Sequence, residues 1–324
     1  MTRQLGRSGI EVSDLGIGTW AIGGKFHSGD QPLGWGEVDD EVSIQAIRRA
    51  LDLGVTLIDT ADVYGTGHAE EVVRRAIEGR RDEVVIANKW GNTFSSETRE
   101  MIAEDGSVPY ARAALLASLD RLGTDRVDVF QLHLGGLDPD AAAELFAACE
   151  GFIDEGLIRT YGWSTDEPAS AQVLAKVGRG SVIQHALNVL NDAPEMLAVC
   201  ERHGLASLNR SPLAMGLLAA KVTADTKFGA DDVRGREPEW LHWFTDGRPT
   251  PEFLRRRDSI RDILASDGRS LTQGALAWNL ARSPQTIPIP GIRTVAQAEE
   301  NAGVLTAAPL RPEQLDEIQA LLAE

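Results

Sequence analysis

Residues 39–60 read "DDEVSIQAIRRALDLGVTLIDT", a segment of mixed polarity that runs into a short apolar stretch. Ile44, Ile47 and Leu51 recur at helical spacing, and a glycine stands where the C-terminal cap of a helix belongs. The β-branched run after that glycine predicts a strand, and the earlier stretch "DLGIGTW" at residues 14–20 predicts another. This part of the chain therefore predicts a strand, a helix and a second strand in succession.

The same alternation continues to the end of the chain. Further apolar, β-branched runs predict strands, most of them followed by ten or more residues of helical pattern; they lie at residues 84–89, 127–132, 158–164, 181–188, 205–210 and 286–291. About eight strands that alternate with helices, with no evident linker, favour a closed (β/α)8 TIM barrel, formed as a single domain over residues 1–324. A nine-stranded open sheet is the minority alternative.

Two segments depart from the alternation. "RQLGRSGIEVS" at residues 3–13 alternates in polarity around a turn sequence, which predicts an N-terminal β-hairpin that closes the bottom of the barrel. Residues 222–251 are rich in Gly, Pro and Asp and are too long for an ordinary connection. We therefore expect a long loop after the seventh strand, with the role of a lid or binding loop.

Composition restricts the class of protein. The formal net charge is -17 over 324 residues, and this charge disfavours nucleic acid and anionic membrane surfaces as partners. The start of the chain has no signal-peptide pattern, and no apolar run is long enough to span a bilayer. The expected location is the cytoplasm. Cys149 and Cys200 lie in apolar helical patterns and are predicted to be buried packing residues.

Four ionisable residues fall at or just after the ends of adjacent predicted strands, where a barrel of this kind carries its site. Asp59 ends the second strand, Tyr64 follows it, Lys89 ends the third and His133 follows the fourth. Each alone has a structural explanation, such as a helix cap, a packed aromatic or a hydrogen-bonded core histidine. Asp62 is interpreted as a loop residue outside this group.

Together the four residues form a chemical unit. A tyrosine has a reference pKa of about 10, and an adjacent ammonium group lowers the pKa by stabilising the phenolate. A carboxylate keeps such a lysine charged, and a histidine beside the phenol can orient a carbonyl oxygen. This arrangement indicates carbonyl reduction. A metal-dependent barrel enzyme with Asp59 and His133 as ligands is the rival interpretation, but it leaves Lys89 without a role, so we expect no metal.

The motifs of the chain resemble those of the aldo-keto reductases of the bacterial type. They occur in the order of that family, as "GIGTW", "IDTADVYG", "ANKWG", "GWS", "SPLAMGLL" and "IPGIRTVAQAEEN". The resemblance implies a (β/α)8 barrel, NAD(P)H as hydride donor without a Rossmann domain, and a catalytic tetrad of Asp59, Tyr64, Lys89 and His133. The alternative is a cofactor-binding regulatory subunit, the role that some barrels of this family have on channels.

The resemblance also implies how the cofactor is held. Ser164 and Gln184 are placed to recognise the nicotinamide amide, and Arg210 stands where the family commonly has a stacking aromatic residue. Arg293 is the candidate cation for a 2'-phosphate, so NADPH is expected rather than NADH. The predicted cofactor contacts lie at strand ends and in the loops that follow: Gly18, Thr19, Trp20, Ser164, Thr165, Gln184, Arg210, Ser211, Pro212, Leu213, Gly216, Gly291, Arg293, Thr294, Gln297, Glu300 and Asn301.

Tryptophans near the predicted barrel mouth are the candidates for a substrate pocket. Trp20 and Trp90 end the first and third strands, and Trp240 and Trp243 lie in the long loop. Packing at the top of the barrel, or anchoring of the loop, explains them nearly as well. The expected substrate is a small carbonyl compound, either an aldehyde, a ketone or a sugar, and the sequence does not set the oligomeric state.

Overall fold

The structure is a computed structural model, and it describes residues 2–236, 238 and 240–323. Eight strands, numbered here in chain order, form the central sheet: β1 (Gly16–Gly18), β2 (Leu57–Asp59), β3 (Val85–Trp90), β4 (Val127–Leu132), β5 (Ile158–Ser164), β6 (Val182–Ala186), β7 (Ala206–Arg210) and β8 (Thr286–Pro288).

The described residues form ten α-helices around these strands: α1 (Asp40–Asp52), α2 (His68–Ala76), α3 (Val108–Leu122), α4 (Pro139–Asp154), α5 (Pro168–Lys176), α6 (Pro194–His203), α7 (Pro251–Leu264), α8 (Leu271–Arg282), α9 (Val295–Ala302) and α10 (Pro312–Ala323). Their ends follow the expected capping chemistry. Asp39 accepts a hydrogen bond from the Val42 amide at the start of α1, and Ser270 with Gln273 forms a capping box on α8.

The sheet is parallel, and its strands are hydrogen-bonded in chain order from β1 to β8. The first strand meets the last one across the remaining edge, where the Gly18 amide donates to the Pro290 carbonyl at 2.9 Å and Gly18 bridges Gly291 in parallel. A side chain at position 18 would come within 3.0 Å of the Ile289 carbonyl oxygen, so glycine permits this close approach. The predicted eight-stranded barrel is confirmed.

The apolar core has two layers, because successive residues of a strand face opposite sides of the sheet. Val85 and Ala87 belong to the cluster inside the barrel, while Ile86 and Trp90 belong to the cluster between barrel and helices. Cys149 and Cys200 lie in the outer layer as buried thiols, as predicted.

The predicted N-terminal hairpin is present. Thr2–Gln4 pairs antiparallel with Glu11–Ser13, and the turn side chains Leu5 and Ile10 join the cluster inside the barrel. Gly6 has a φ of +55°, and a side-chain carbon there would lie 2.4 Å from the Ser181 carbonyl oxygen. The hairpin therefore closes the end of the barrel opposite the strand C-termini, at a distance that only glycine allows.

A four-stranded sheet near the barrel mouth was not predicted. It joins His27–Ser28 and Gln31–Pro32, after β1, to Asn92–Ser95 and Glu100–Glu104, after β3. The predicted long loop does follow β7; it contains a two-stranded ribbon at Phe244–Thr245 and Arg248–Pro249. Within the predicted range 222–251, Glu237 and Glu239 lie outside the described residues. The role of this loop as a lid stays a prediction.

The long loop contacts the segment that follows β1. The Val233 amide donates to the Gly34 carbonyl at 2.9 Å, and Lys25 Nζ lies 3.4 Å from Asp231 Oδ2. Across residues 2–236, 238 and 240–323, none of the helices has the length and apolarity needed to cross a bilayer.

Candidate active site

Asp59, Lys89 and Tyr64 meet at the mouth of the barrel. Lys89 lies on an inward-facing position of β3, and its ammonium nitrogen is 2.6 Å from Asp59 Oδ2 at the end of β2. The same nitrogen donates to the Thr60 carbonyl at 2.9 Å and to the Tyr64 hydroxyl at 3.2 Å. Lys89 is fully buried, so its ammonium group meets these three oxygen atoms away from bulk water.

Burial dominates the proton affinity of the phenol. The pKa of Tyr64 lies above its usual value because desolvation of the phenolate raises the pKa more than the neighbouring Lys89 lowers it. The expectation of a lowered pKa is therefore wrong for the protein without its cofactor. Burial also disfavours the charged form of Lys89, but Asp59 and Tyr64 outweigh it and raise the pKa of Lys89. At neutral pH the site holds a protonated phenol beside an ammonium ion.

His133 lies directly after β4 and faces Tyr64. The two ring centroids are 6.0 Å apart in an edge-on arrangement, and the His133 amide donates to the Trp90 carbonyl at 2.7 Å. Burial, followed by the positive charges of Lys89 and Arg210, lowers the pKa of His133 to about 3. The imidazole is therefore neutral at physiological pH, and it can donate one hydrogen bond without carrying a charge.

Two buried amides complete the surroundings of Asp59. Gln184 Nε2 on β6 donates to Asp59 Oδ1 at 2.7 Å, and it also lies 3.2 Å from Gln131 Oε1 on β4. Gln131 was not predicted from the sequence, although a polar residue at an inward position of an apolar strand is a signal for it. Gln184, predicted to contact the cofactor, thus also holds the carboxylate.

Asp62 lies in the loop that follows β2, as interpreted from the sequence. It is fully buried, and its pKa is held well above the usual range by burial and by the neighbouring carboxylate of Glu70. Glu70 in turn accepts hydrogen bonds from Asn88 and Arg121 on its two oxygens. The contacts of Glu70 lie on the outer side of β3, and Asp62 is buried near them, but neither of its carboxylate oxygens has a hydrogen-bond partner in the described part of the chain.

The segment after β7 has unusual backbone conformations. Four of its residues have positive φ angles: Ser211 at 54°, Ala214 at 47°, Met215 at 55° and Gly216 at 95°. Such left-handed residues turn backbone amides toward a common point, which suits an anion, and strain of this kind concentrates at functional sites. The predicted cofactor residues Ser211, Pro212, Leu213 and Gly216 thus lie in a strained loop, in which the Ala214 and Gly216 amides donate to the carbonyls of Ser211 and Leu213.

A cavity of about 540 Å³ lies between the start of α1 and the start of α9. Arg293, Thr294 and Gln297 line it on one side, together with Glu37 and Asp39 on the other. The Arg293 guanidinium donates to the backbone carbonyls of Trp35, at 3.0 Å, and Glu37. Arg293, the cation predicted to bind a phosphate, therefore lies at a cavity, where it also holds the segment that follows β1.

Other predicted cofactor residues lie further from open space. The Glu300 carboxylate accepts from the Ser270 hydroxyl, and Asn301 is buried with its amide 3.4 Å from the Gly291 carbonyl. Thr19 is also buried, and its hydroxyl donates to the Asp59 carbonyl at 3.0 Å. In this structure these side chains support the walls of the site.

The four candidate tryptophans divide into two groups. Trp20 stacks on Tyr64 with centroids 6.1 Å apart, and Trp240 lies 6.0 Å from Trp20 and is 47% exposed. Trp90 instead stacks on Phe130 in the layer between barrel and helices, since Lys89 faces inward and the next residue must face outward. Trp243 is buried in the apolar packing of the long loop. The substrate-wall prediction is therefore wrong for Trp90, and Trp243 anchors the loop.

Ser164 and Thr165 end β5 beside Gln184. Ser164 lies in register with Gln184, and the Thr165 hydroxyl donates to the Gly135 carbonyl at 2.8 Å. The next residue, Asp166, was not among the predicted site residues. Its carboxylate forms an ion pair with Arg210 at the end of β7.

Comparison with known proteins identifies the family. Residues 14–323 match the model of the Aldo/keto reductase family, so the chain belongs to that family. It is 32% identical to aldo-keto reductase YhdN of Bacillus subtilis, over 97% of this chain and 91% of the relative. Among solved structures it resembles the glycerol dehydrogenase AKR11B4 of Gluconobacter oxydans, with a TM-score of 0.84, 28% identity and coverage of 99% and 95%. An aldo-keto reductase of Klebsiella pneumoniae in complex with NADPH gives a TM-score of 0.71 at 25% identity, with coverage of 99% and 95%.

Membership of this family confirms the predicted enzyme class, an NAD(P)H-dependent oxidoreductase on a TIM barrel. The predicted cofactor, NADP(H), agrees with the solved relative that holds NADPH. Within the described part of the chain, no group of three or more His, Cys, Asp or Glu side chains is arranged to hold a metal ion. Asp59, the proposed ligand of the rival interpretation, is occupied by Lys89 and Gln184.

Proposed function

We propose that this protein reduces a carbonyl group of a small molecule to an alcohol, with NADPH as the hydride donor and Tyr64 as the proton donor. The observation that carries the proposal is the fully buried Lys89 ammonium, which lies 2.6 Å from Asp59 Oδ2 and 3.2 Å from the Tyr64 hydroxyl. A buried cation that is neutralised on one side and bound to a phenol oxygen on the other serves proton transfer from that phenol.

In the proposed mechanism Tyr64 transfers one proton, and the neighbouring residues support that transfer. A hydride from bound NADPH would go to the carbonyl carbon, so that negative charge would develop on the carbonyl oxygen. Tyr64 gives its proton to that oxygen, and Lys89 stabilises the phenolate that remains, while Asp59 keeps Lys89 charged and in place. The neutral imidazole of His133 donates a hydrogen bond that orients the oxygen.

The high pKa of Tyr64 is consistent with this direction of reaction. The phenol is protonated throughout the neutral range and so has a proton to donate, although the raised pKa makes it a weaker acid than a free tyrosine. Stabilisation of the phenolate by Lys89 is needed only after the proton has left, so it acts on the transition state and the product.

Two parts of the chain suit the cofactor. The strained loop at residues 211–216 would lie along the pyrophosphate, and the cavity beside Arg293 offers a cation to a 2'-phosphate. Arg293 is the reason to prefer NADPH over NADH. The substrate would enter beside Trp20 and Trp240, which form an aromatic wall over Tyr64 and favour a carbonyl compound with an apolar neighbouring group.

The test is the variant Tyr64→Phe, which removes the proton donor and one hydrogen bond to Lys89. We expect kcat for aldehyde reduction, followed by NADPH absorbance, to fall by about 10²- to 10⁴-fold, while the Kd for NADPH changes little. Full activity of this variant would refute the role of Tyr64. A wild-type protein that binds NADPH but turns over no compound in a panel of aldehydes, ketones and sugars would favour the alternative, a cofactor-binding regulatory subunit.

A further inference from the structure

An ion pair joins two strand ends on one side of the barrel mouth. Arg210 ends β7, and its Nη2 donates to Asp166 Oδ2 in the loop after β5. The other carboxylate oxygen, Oδ1, accepts from the Ala186 amide at the end of β6 at 2.7 Å. Asp166 thus links the ends of the adjacent strands β5, β6 and β7, through the Ala186 amide and the Arg210 guanidinium.

The position of this pair places it beside the expected nicotinamide. Ser164 lies in register with Gln184, and Ala186 lies in register with Arg210. Gln184 donates to Asp59, the carboxylate that holds Lys89. The charge of Arg210 also reaches the reaction centre, because it contributes, after burial and Lys89, to the lowered pKa of His133.

We propose that Asp166 and Arg210 act together to set the relative affinity of the protein for the oxidised and the reduced cofactor. This inference rests on the proposed function, in which a nicotinamide ring binds over the strand ends. The oxidised ring carries one positive charge and the reduced ring carries none. The Arg210 cation therefore opposes binding of the oxidised form selectively, and the Asp166 carboxylate offsets that effect.

The pair is neutral as a whole, so removing either member changes the local charge in a known direction. Asp166→Asn leaves the guanidinium uncompensated and should weaken binding of NADP+ relative to NADPH. Arg210→Gln leaves the Asp166 carboxylate uncompensated and should strengthen binding of NADP+ relative to NADPH. The side chains are 38% and 51% exposed, so solvent screens their charges and the expected shift is roughly fivefold in each direction.

The experiment measures the Kd values of NADP+ and NADPH for the full-length protein by tryptophan fluorescence, and compares their ratio between variants. Asp166→Asn should raise the ratio of the NADP+ Kd to the NADPH Kd by roughly fivefold, and Arg210→Gln should lower it similarly. The double variant should return to within about twofold of the wild type, and Arg210→Lys, which keeps the charge, should stay close to it. Glu155→Gln is the matched control, because it breaks the Arg112 ion pair on the outside of the barrel, whose side chains are 46% and 44% exposed.

The outcomes separate this inference from the proposed function. Equal changes in both Kd values would show a purely structural role for the pair and would overturn the inference. A ratio that is the same in all variants, while the wild type binds NADPH and reduces carbonyls, would overturn the inference alone. A wild-type protein that binds neither nucleotide would overturn the proposed function and the inference with it. If Asp166→Asn does not fold, the ratio for Arg210→Gln still tests the sign.

Discussion

Replacement of Lys89 by Met isolates the energetic role of the buried ion pair. Methionine keeps most of the length of the side chain but removes the charge and three hydrogen bonds, to Asp59 at 2.6 Å, Thr60 at 2.9 Å and Tyr64 at 3.2 Å. The Asp59 carboxylate then stays buried with the amide of Gln184 as its donor at 2.7 Å. Loss of one partner of a buried pair destabilises a protein by about 3–5 kcal/mol, mainly because the remaining charge is uncompensated.

Urea unfolding measures the free energy of unfolding of the wild type, Lys89→Met, Asp59→Asn and the double variant. We expect the double variant to be more stable than Lys89→Met, because the neutral amide that replaces the carboxylate needs no counter-charge. A loss of less than about 1 kcal/mol in Lys89→Met at pH 7.5 would refute the reasoning, since a charge buried to this extent cannot be left unpaired at so small a penalty.

Three further results are expected. Burial lowers the pKa of His185 to about 4, below its unfolded value of about 6.5, so its contribution to stability is present above pH 6.5 and is lost as the pH falls. At pH 5 the loss amounts to about 2 kcal/mol, and a plot of unfolding free energy against pH should be flatter in this range for His185→Gln. Trp240→Ala should raise KM for the carbonyl substrate roughly fivefold with an unchanged Tm, because the ring is half exposed, whereas Trp243→Ala should lower the free energy of unfolding by about 3–5 kcal/mol. A loss of stability in Trp240→Ala and a change only in KM in Trp243→Ala would contradict this placement of the two rings. Arg293→Ala should raise the KM for NADPH far more than that for NADH, and equal effects would contradict the preference for NADPH.

The barrel strands could be predicted from the sequence because their signal is local. Runs such as "VTLIDT" and "VDVFQL" are apolar and β-branched, and each is followed by a segment of helical period. The pairing of β1 with β8 is not local, but closure follows from the number of strands. The four-stranded sheet at the mouth had no such signal, because it joins Asn92–Ser95 and Glu100–Glu104 to short strands that lie far away along the chain, before α1.

The candidate site was predicted unevenly for a similar reason. Residue types and strand ends placed Asp59, Lys89 and Tyr64 in one region, and the structure brings their polar atoms into contact. The direction of a side chain could also have been predicted: if Lys89 faces the barrel interior, Trp90 must face the helices. Burial was the missing quantity for Tyr64, since a sequence shows which charges are near a phenol but not how completely water is excluded from it.

Arg210 shows how a partner changes the interpretation of a charged residue. Taken alone in the sequence, a guanidinium beside the nicotinamide site predicts a net positive charge that repels the oxidised cofactor. In the structure Asp166 neutralises it, and the two residues lie 44 positions apart, at the end of β7 and in the loop after β5, which the parallel pairing of β5, β6 and β7 brings together. The wild-type protein should therefore retain NADP+ about as well as a site with an uncharged pair would. Weaker binding of NADP+ caused by Arg210 should become visible only when Asp166 is removed. The energy of a charge depends on the groups within a few ångströms of it as well as on its residue type.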